Sequence, residues 1–407
     1  MTNLKRKRNM SQHSAKRTRL DSPEQDDDDE ADVVEMTPKA RSSLLRPHTL
    51  PPSESQSQSQ SQASGRSSPS KQMDALELSG FRWNRQLSTD NPDIPSELFE
   101  FLEEMNNCYA GIGIIPQTLK VNKWKQILRF TTTDQDGKAE IDQRIETDRS
   151  FRSFKPFMYA DAATRSAIGH TPSIDEVELI INEARECQQY SHPEASWNDS
   201  VHFPLLHKAV YGSKRRKQLI GMMNCTTAKL IKEYLRKDVF SKQVDYSFFI
   251  DPEADDTDSK SPAEVVTELR KIMPCGVINH TMYRPLRDRP MVVTVETKKR
   301  HVSLEAAELQ TGTWHAAHWD MLTRRLEQTK GTFNKLPFLP GILVQGHDWS
   351  FVVTTREDGK TVVWLEQKFG STSDMIGVYK AIWGVQRLAR WVEDVYWPWY
   401  KTNILCL

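Results

Sequence analysis

A run of apolar and β-branched residues, Met291-Val292-Val293-Thr294-Val295, leads directly into Glu296-Thr297-Lys298. Such a run predicts a buried strand, where ionised side chains are rare unless a partner or a metal ion compensates them. Side chains alternate along a strand, so Glu296 and Lys298 are predicted to share one face and Thr297 to take the other. The motif therefore predicts either a metal-binding carboxylate with its lysine or a plain salt bridge at a strand end.

A second carboxylate, Asp245, stands before another strand-like run, Tyr246-Ser247-Phe248-Phe249-Ile250. If the two strands are neighbours, Asp245 and Glu296 together offer the hard oxygen ligands that Mg²⁺ prefers, with Mn²⁺ as the alternative ion. Such an ion activates water and neutralises charge on a phosphodiester. The long separation predicts an insertion between the strands, in which Ser261-Pro262-Ala263-Glu264 predicts a helix start with a capping box.

Five short phrases in roughly the last half of the chain have a distinctive combined pattern. They are Val244-Asp245-Tyr246, Asn279-His280-Thr281, Val295-Glu296-Thr297-Lys298, Leu336-Pro337-Phe338-Leu339-Pro340-Gly341 with Gln345-Gly346-His347-Asp348-Trp349, and Val395-Tyr396-Trp397-Pro398-Trp399. Together they resemble the PD-(D/E)XK nuclease-like proteins of filamentous fungi and, more widely, the restriction endonuclease-like superfamily. The resemblance implies an α/β fold with an αβββαβ core, a mixed central sheet flanked by helices, and Mg²⁺-dependent phosphodiester hydrolysis of DNA or RNA. Val244 replaces the proline of the family motif.

The resemblance also implies roles for individual residues. Asp245 and Glu296 bind the metal ion, the carbonyl of Thr297 assists, and Lys298 orients the attacking water. An acidic residue on the first core helix often supports this site in the superfamily, and Glu194 is the candidate, although a glutamate at that position can equally complement the helix dipole. Gln310-x-x-x-Trp314 resembles the Gln-x-x-x-Tyr motif of RecB-like nucleases, where the amide supports the active site, and structural packing is the alternative.

Another acid-x-Lys motif competes for the site. Asp348 and Glu366-Gln367-Lys368 have a spacing closer to a simple hairpin. The superfamily order places the long helix after the Glu-x-Lys strand and then returns to a further strand, as the predicted helix at 303–328 does after Glu296. This order favours Asp245 and Glu296. A catalytically inactive nuclease fold that binds a nuclear protein or a nucleic acid remains the alternative function.

Composition divides the chain into three predicted parts. Residues 1–90, rich in Ser, Gln, Pro and charge, predict a disordered tail, residues 91–190 a helical lead-in, and residues 191–407 the nuclease-like domain. A helix over 194–211, kinked at Pro204, is predicted to begin that domain. The basic stretches at 214–217 and 298–300 are predicted to contact phosphates.

Two basic clusters, Lys5-Arg6-Lys7-Arg8 and Lys16-Arg17-Thr18-Arg19, match a bipartite import signal and predict binding to a nuclear-import receptor. The predicted location is nuclear, with the cytoplasm as the alternative. Five scattered cysteines predict neither a zinc ribbon nor a disulfide framework. No apolar run is long enough to predict a membrane span, so no membrane association is expected.

Aromatic and histidine residues in the second half favour structural roles. Trp383, Trp391, Trp397 and Trp399 are expected to pack in the core rather than to stack on bases. The pair His315-x-x-His318 lacks a third ligand and is weak evidence for zinc.

Overall fold

The structure, a computed structural model, describes residues 68–78, 81–117, 153–212, 218–235 and 243–407, with the side chains of 82–84 and 366 excepted. The basic clusters at 5–8 and 16–19, the predicted tail up to residue 67 and the basic stretch at 214–217 lie outside these residues. None of the described helices is both long and apolar enough to cross a membrane.

A seven-stranded mixed sheet runs through the described residues. Its strands and those of a separate two-stranded pair are β1 (Phe81–Gln86), β2 (Ile115–Pro116), β3 (Tyr159–Ala160), β4 (Ile220–Asn224), β5 (Tyr246–Ile250), β6 (Met291–Lys298), β7 (Leu339–Gln345), β8 (Asp348–Glu357) and β9 (Lys360–Ser371). The large sheet has the order β1-β9-β8-β7-β6-β5-β4. The pairs β1/β9 and β6/β7 are parallel, and the other neighbours are antiparallel. β2 and β3 form the small parallel pair.

Helices lie before, between and after these strands. They are α1 (Pro69–Leu78), α2 (Ser96–Ala110), α3 (Ala162–Ile168), α4 (Ile174–Gln189), α5 (Glu194–Trp197), α6 (Phe203–Tyr211), α7 (Pro262–Arg270), α8 (Glu305–Thr329), α9 (Met375–Trp391) and α10 (Trp397–Tyr400). From α5 onward, the core elements follow as α5–α6, then β4, β5 and β6, then α8, then β7, with α7 in the insertion before β6. This is the predicted αβββαβ order, and the α/β fold class is confirmed.

The first core helix is irregular at a different place from the one predicted. A π-helical turn, Asn198–His202, separates α5 from α6, whereas the kink was expected at Pro204. Proline lacks a backbone N–H, and Pro204 lies in the first turn of α6, directly after the turn in which the N–H of Phe203 donates to the carbonyl of Asn198. The widened turn therefore precedes the proline.

The insertion between β5 and β6 is anchored by one asparagine. Asn279 Oδ1 accepts the N–H of Met291 at 2.9 Å, and its Nδ2 donates to the carbonyls of Leu286 and Arg289 at 2.5 and 2.9 Å. These bonds tie the end of the insertion to the start of β6. The predicted capping box at Ser261 is wrong, because the Ser261 side chain caps nothing. The N–H of Glu264 instead donates to the Ser261 carbonyl at 3.1 Å.

The structure differs from the sequence prediction at the end of the tail. α1 and β1 fall inside the segment 1–90 that was expected to be unstructured. Leu76 and Phe81 are buried in a cluster with Leu309, Leu343 and Val352, and β1 pairs with β9 at the sheet edge. Apolar residues are sparse in the segment 1–90. Its last part is ordered because β9, far along the chain, pairs with β1.

The position of β1 predicts how truncations behave. Deleting residues 1–67 is expected to leave the thermal unfolding midpoint unchanged, because composition predicts that this part buries little apolar surface. Deleting residues 1–90 should lower the midpoint by roughly 5 °C or more, since it removes the buried Leu76 and Phe81 and exposes the edge of β9. Calorimetry on the two truncated chains tests this. Equal midpoints for both would contradict the docking of β1.

Candidate active site

The end of β6 carries a buried carboxylate in contact with a lysine. The Glu296 side chain is 1% exposed, and the Lys298 side chain is 13% exposed. Lys298 Nζ donates to Glu296 Oε1 at 2.5 Å and to the Thr297 carbonyl at 2.9 Å. The second oxygen of Glu296, Oε2, is buried and has no hydrogen-bond partner among the described residues. A buried polar atom without a partner is destabilising, so this oxygen is suited to ligate a cation.

Asp245 lies just before β5 and approaches the same strand end. Its Oδ2 accepts the backbone N–H of Thr297 at 2.7 Å and the Thr297 hydroxyl at 2.8 Å. Tyr246 pairs with Val295, so the antiparallel register brings Asp245 opposite Glu296. The Thr297 side chain was expected to point away from the site. The Thr297 hydroxyl nevertheless donates to Asp245. Asp245 precedes β5, so its side chain does not have to follow the alternation of a strand.

Electrostatics show that the charged groups interact. Burial raises the pKa of Glu296 to about 8. The Asp245 carboxylate is the second cause of this rise, and Lys298 opposes it. Burial disfavours the ammonium form of Lys298, but Glu296, Glu194 and Asp245 outweigh it and raise the lysine pKa. Burial thus favours the protonated form of Glu296, and a bound cation would favour the carboxylate.

Glu194, in the first turn of α5, also reaches the site. Its Oε1 is 4.0 Å from Lys298 Nζ, and its Oε2 accepts the N–H of Lys299 at 3.3 Å. Burial, together with Asp245, raises the pKa of Glu194, although Lys298 lowers it. The structure thus brings together Asp245, Glu296, Lys298 and Glu194, and their catalytic roles stay predictions.

Gln310 does not join this group. It lies on α8, and its Nε2 donates to the carbonyl of Gln243 at 3.1 Å. Gln243 precedes Asp245 by two residues, so Gln310 braces the backbone that leads into Asp245. The partly buried amide has the partner that its position on the helix requires.

Sequence reasoning missed a buried histidine that holds the other end of the site. His202, in the π-helical turn, lies with Nδ1 2.9 Å from Asn198 Oδ1 and Nε2 2.9 Å from the Gly346 carbonyl. The N–H of Gly346 donates to the carbonyl of Lys298 at 3.0 Å. Burial lowers the pKa of His202 to about 4, so the ring is neutral at pH 7. The signal in the sequence is Asn198-x-x-x-His202, four residues apart on the first core helix.

His347 ties the following turn to α4. Its Nε2 lies 2.5 Å from Gln188 Oε1, and its Nδ1 lies 3.0 Å from the Thr372 hydroxyl. His347 follows β7, the parallel neighbour of β6. It faces Gln188 and Thr372 rather than Glu296, so it positions the turn.

The donors at this site fit a hard divalent cation. Among the residues that the structure describes, no three acidic, histidine or cysteine side chains form a ready metal-binding group. Mg²⁺ needs less, because it keeps several waters and is commonly held by one or two carboxylates. The unpartnered Glu296 Oε2 and the neighbouring Asp245 supply these, with the Thr297 carbonyl at the same strand end. The set fits Mg²⁺ or Mn²⁺.

The competing acidic site is open to solvent. Asp348 and Lys368 form a salt bridge at 3.0 Å, and both side chains are about half exposed. Because both groups are about half exposed, they have the character of a surface ion pair. The Glu366 side chain lies outside the described side chains.

The other candidate residues are structural. His315 lies between the hydroxyls of Thr294 and Thr354, at 2.9 and 3.0 Å. His318 contacts the Tyr396 hydroxyl at 3.1 Å. Trp391, Trp397 and Trp399 are buried, and Trp383 is partly buried against the same core. The expected core packing of the tryptophans therefore agrees with the structure.

Comparison with known proteins adds the family. Searches among curated proteins and among solved structures each returned no match. A sequence model of the PD-(D/E)XK nuclease superfamily matches residues 140–397, more than half of the chain. The match covers β3 to α9 and includes Asp245, Glu296 and Lys298. The chain therefore belongs to the PD-(D/E)XK nuclease superfamily.

Proposed function

We propose that this protein hydrolyses phosphodiester bonds of nucleic acid with Mg²⁺, or Mn²⁺, held at the end of β6. The observation that carries the proposal is the buried Glu296. Its Oε2 lacks a partner and its neighbours are a second carboxylate and a lysine. A buried acid in such surroundings is unfavourable for stability alone, and perturbed groups of this kind cluster at functional sites.

Each residue has a distinct part in the proposed reaction. Asp245 and Glu296 would hold the ion through carboxylate oxygens, with the Thr297 carbonyl as a further oxygen donor. A divalent ion at this place would lower the pKa of a water molecule and neutralise charge on the phosphate. Lys298, whose ammonium form is favoured, donates to the attacking water and orients it. Glu194 limits the movement of Lys298.

Support for a nucleic-acid substrate comes from the turn after β6. Lys299 and Arg300 are exposed, and they follow the site residues directly in the chain. Such positive groups contact phosphate oxygens and position the backbone without reading the sequence. The scissile phosphate would then lie between this turn and Glu296.

One observation favours a second function, a non-catalytic nucleic-acid or protein binding module. Asp245 Oδ2 already accepts two hydrogen bonds from Thr297, and Lys298 Nζ is bonded to Glu296. A closed set of this kind resembles a structural ion-pair network, in which pKa values are also shifted. The module would keep the fold and the basic turn without the chemistry.

The two functions are separated by a cleavage assay. Purified protein is incubated with end-labelled single-stranded and double-stranded DNA and RNA, in Mg²⁺, in Mn²⁺ and in EDTA. Hydrolysis predicts products with either ion and none with EDTA. The binding module predicts retention of intact oligonucleotide in all three conditions, and that result would overturn the proposed chemistry.

A further inference from the structure

An exposed aromatic residue stands beside the candidate active site. Tyr190, between α4 and α5, is 65% exposed. Its ring is 6.3 Å from the His192 ring, at 29° to it. Ser191 between them has φ of 52°, in the left-handed region that non-glycine residues seldom occupy. The connection therefore presents a stacked pair of rings on a constrained turn.

Three contacts hold this connection against the site. Lys299 Nζ donates to the Ser191 carbonyl at 3.4 Å, and the Lys299 N–H donates to Glu194 Oε2 at 3.3 Å. On the other side of the turn, Gln188 contacts His347. The connection that carries Tyr190 is thus held next to Lys299, the residue that directly follows Lys298.

The surface next to Tyr190 is basic. Lys299, Arg300 and His301 form an exposed turn immediately after β6. Arg300 forms no ion pair with the residues that the structure describes, so its charge is free to meet an anion. A single exposed aromatic side chain is unremarkable on a protein surface. An aromatic face beside free positive charge is the combination that binds unpaired nucleotides, with the base on the ring and the phosphate on the cations.

We propose that Tyr190, backed by His192, is a stacking platform for an unpaired base next to the scissile phosphate. The substrate class is then nucleic acid with a single-stranded segment at the cleavage point, DNA or RNA. Lys299 and Arg300 hold the adjoining phosphates. A base inside a duplex has both faces covered by its neighbours and cannot stack on the ring. This inference rests on the proposed function, from which it takes nucleic acid as the substrate. It adds that the substrate is single-stranded at the cleavage point.

Binding measured in EDTA tests the platform without cleavage. The full chain and its Tyr190→Ala and Tyr190→Phe variants are titrated with fluorescent single-stranded DNA, single-stranded RNA and the matching duplexes. Tyr190→Ala should weaken single-strand binding about 5- to 150-fold, the range for loss of one aromatic stack. Tyr190→Phe should bind as the unchanged protein does, and duplex binding should not change.

Tyr109→Ala is the matched control. Tyr109 is 51% exposed and has Lys380 5.4 Å from its ring, but it lies on α2. Its substitution should leave single-strand affinity unchanged. Thermal unfolding of each variant checks folding, and His192→Ala, which removes the ring behind Tyr190, gives a second test if Tyr190→Ala fails to fold.

A second measurement uses oligonucleotides with one base removed at successive positions. One abasic position should weaken binding to the unchanged protein and have no further effect on Tyr190→Ala, since both changes remove the same stack. Equal losses for single strands and duplexes, or none, would overturn the platform. Tyr190-dependent binding without cleavage in Mg²⁺ would sink the proposed hydrolysis and keep the platform. Cleavage at the same rate by Tyr190→Ala would keep the proposed hydrolysis and overturn the platform.

Discussion

Glu296→Gln and Lys298→Met should each reduce Mg²⁺-dependent cleavage by roughly 10²- to 10⁴-fold, the usual effect of losing a group that acts on the attacking water or on the developing charge. Glu296→Gln removes the carboxylate and keeps the shape of the side chain. Lys298→Met keeps the length of the chain and removes the ammonium. Initial rates on one labelled oligonucleotide, in saturating Mg²⁺, give the comparison.

Folding should survive these changes. Because burial raises the pKa of Glu296 to about 8, the Gln variant in EDTA should be at least as stable as the unchanged protein above that pH, where the native side chain becomes a buried anion. Glu366→Gln, on β9, is the control and should retain most activity. If Glu366→Gln instead abolishes cleavage and Glu296→Gln does not, the site lies at Asp348 and Lys368.

Mild acid is expected to destabilise the protein strongly, because four buried histidines are neutral in the fold. His202, His280, His315 and His318 are at most 1% exposed, and burial lowers the pKa of each. The lowered pKa values mean that the unfolded chain takes up protons below about pH 6.5 while the folded chain does not. As the pH falls below this value, the free energy of unfolding therefore decreases by about 1.4 kcal/mol per histidine for each pH unit.

Two carboxylates oppose this effect. Glu296 and Glu194 have raised pKa values, so the folded chain binds their protons more readily and gains stability as the pH falls. Four histidines outweigh them, and the net loss between pH 7 and pH 5 should be about 5 kcal/mol. The groups with lowered carboxylate pKa values, such as Asp255, act at lower pH. Urea unfolding in EDTA across this pH range measures how steeply the free energy of unfolding changes with pH.

One variant isolates the histidine contribution. Neither ring nitrogen of His280 has a hydrogen-bond partner among the described residues, and its ring stacks on His318. His280→Phe should therefore lower the slope by about 1.4 kcal/mol per pH unit without breaking a hydrogen bond. His301→Gln, on the exposed turn, is the control. A slope that His280→Phe leaves unchanged would contradict the account.

The sequence predicted the parts of the fold that depend on local pattern. The apolar run before Glu296 predicted β6, and the order of helix and strand signals predicted the αβββαβ core. Both predictions depend only on patterns among residues that are close in the sequence. The sequence likewise pointed to Asp245, Glu296, Lys298 and Glu194, which the fold brings together, though largely through the family resemblance.

What the sequence did not predict depends on partners far along the chain. β1 looked unstructured because the strand that pairs with it, β9, follows hundreds of residues later. His202 looked like one of several ordinary histidines because its acceptor, the Gly346 carbonyl, is 144 residues away. Tyr190 became notable only because its neighbour Ser191 contacts Lys299, which follows Lys298 in the chain. Such contacts leave no periodic pattern within a window of sequence.

The pairing of β1 with β9 also bears on synthesis at the ribosome. Residues 81–86 leave the ribosome long before β9 exists, and at ordinary elongation rates the wait is about 15 to 60 s. During that time β1 has an unpaired edge that can attract other chains. Arg85, which later pairs with Glu357 and covers Trp364, places a charge on this waiting strand. The sheet closes only when nearly the whole chain has been made, so a stalled nascent chain lacks that edge.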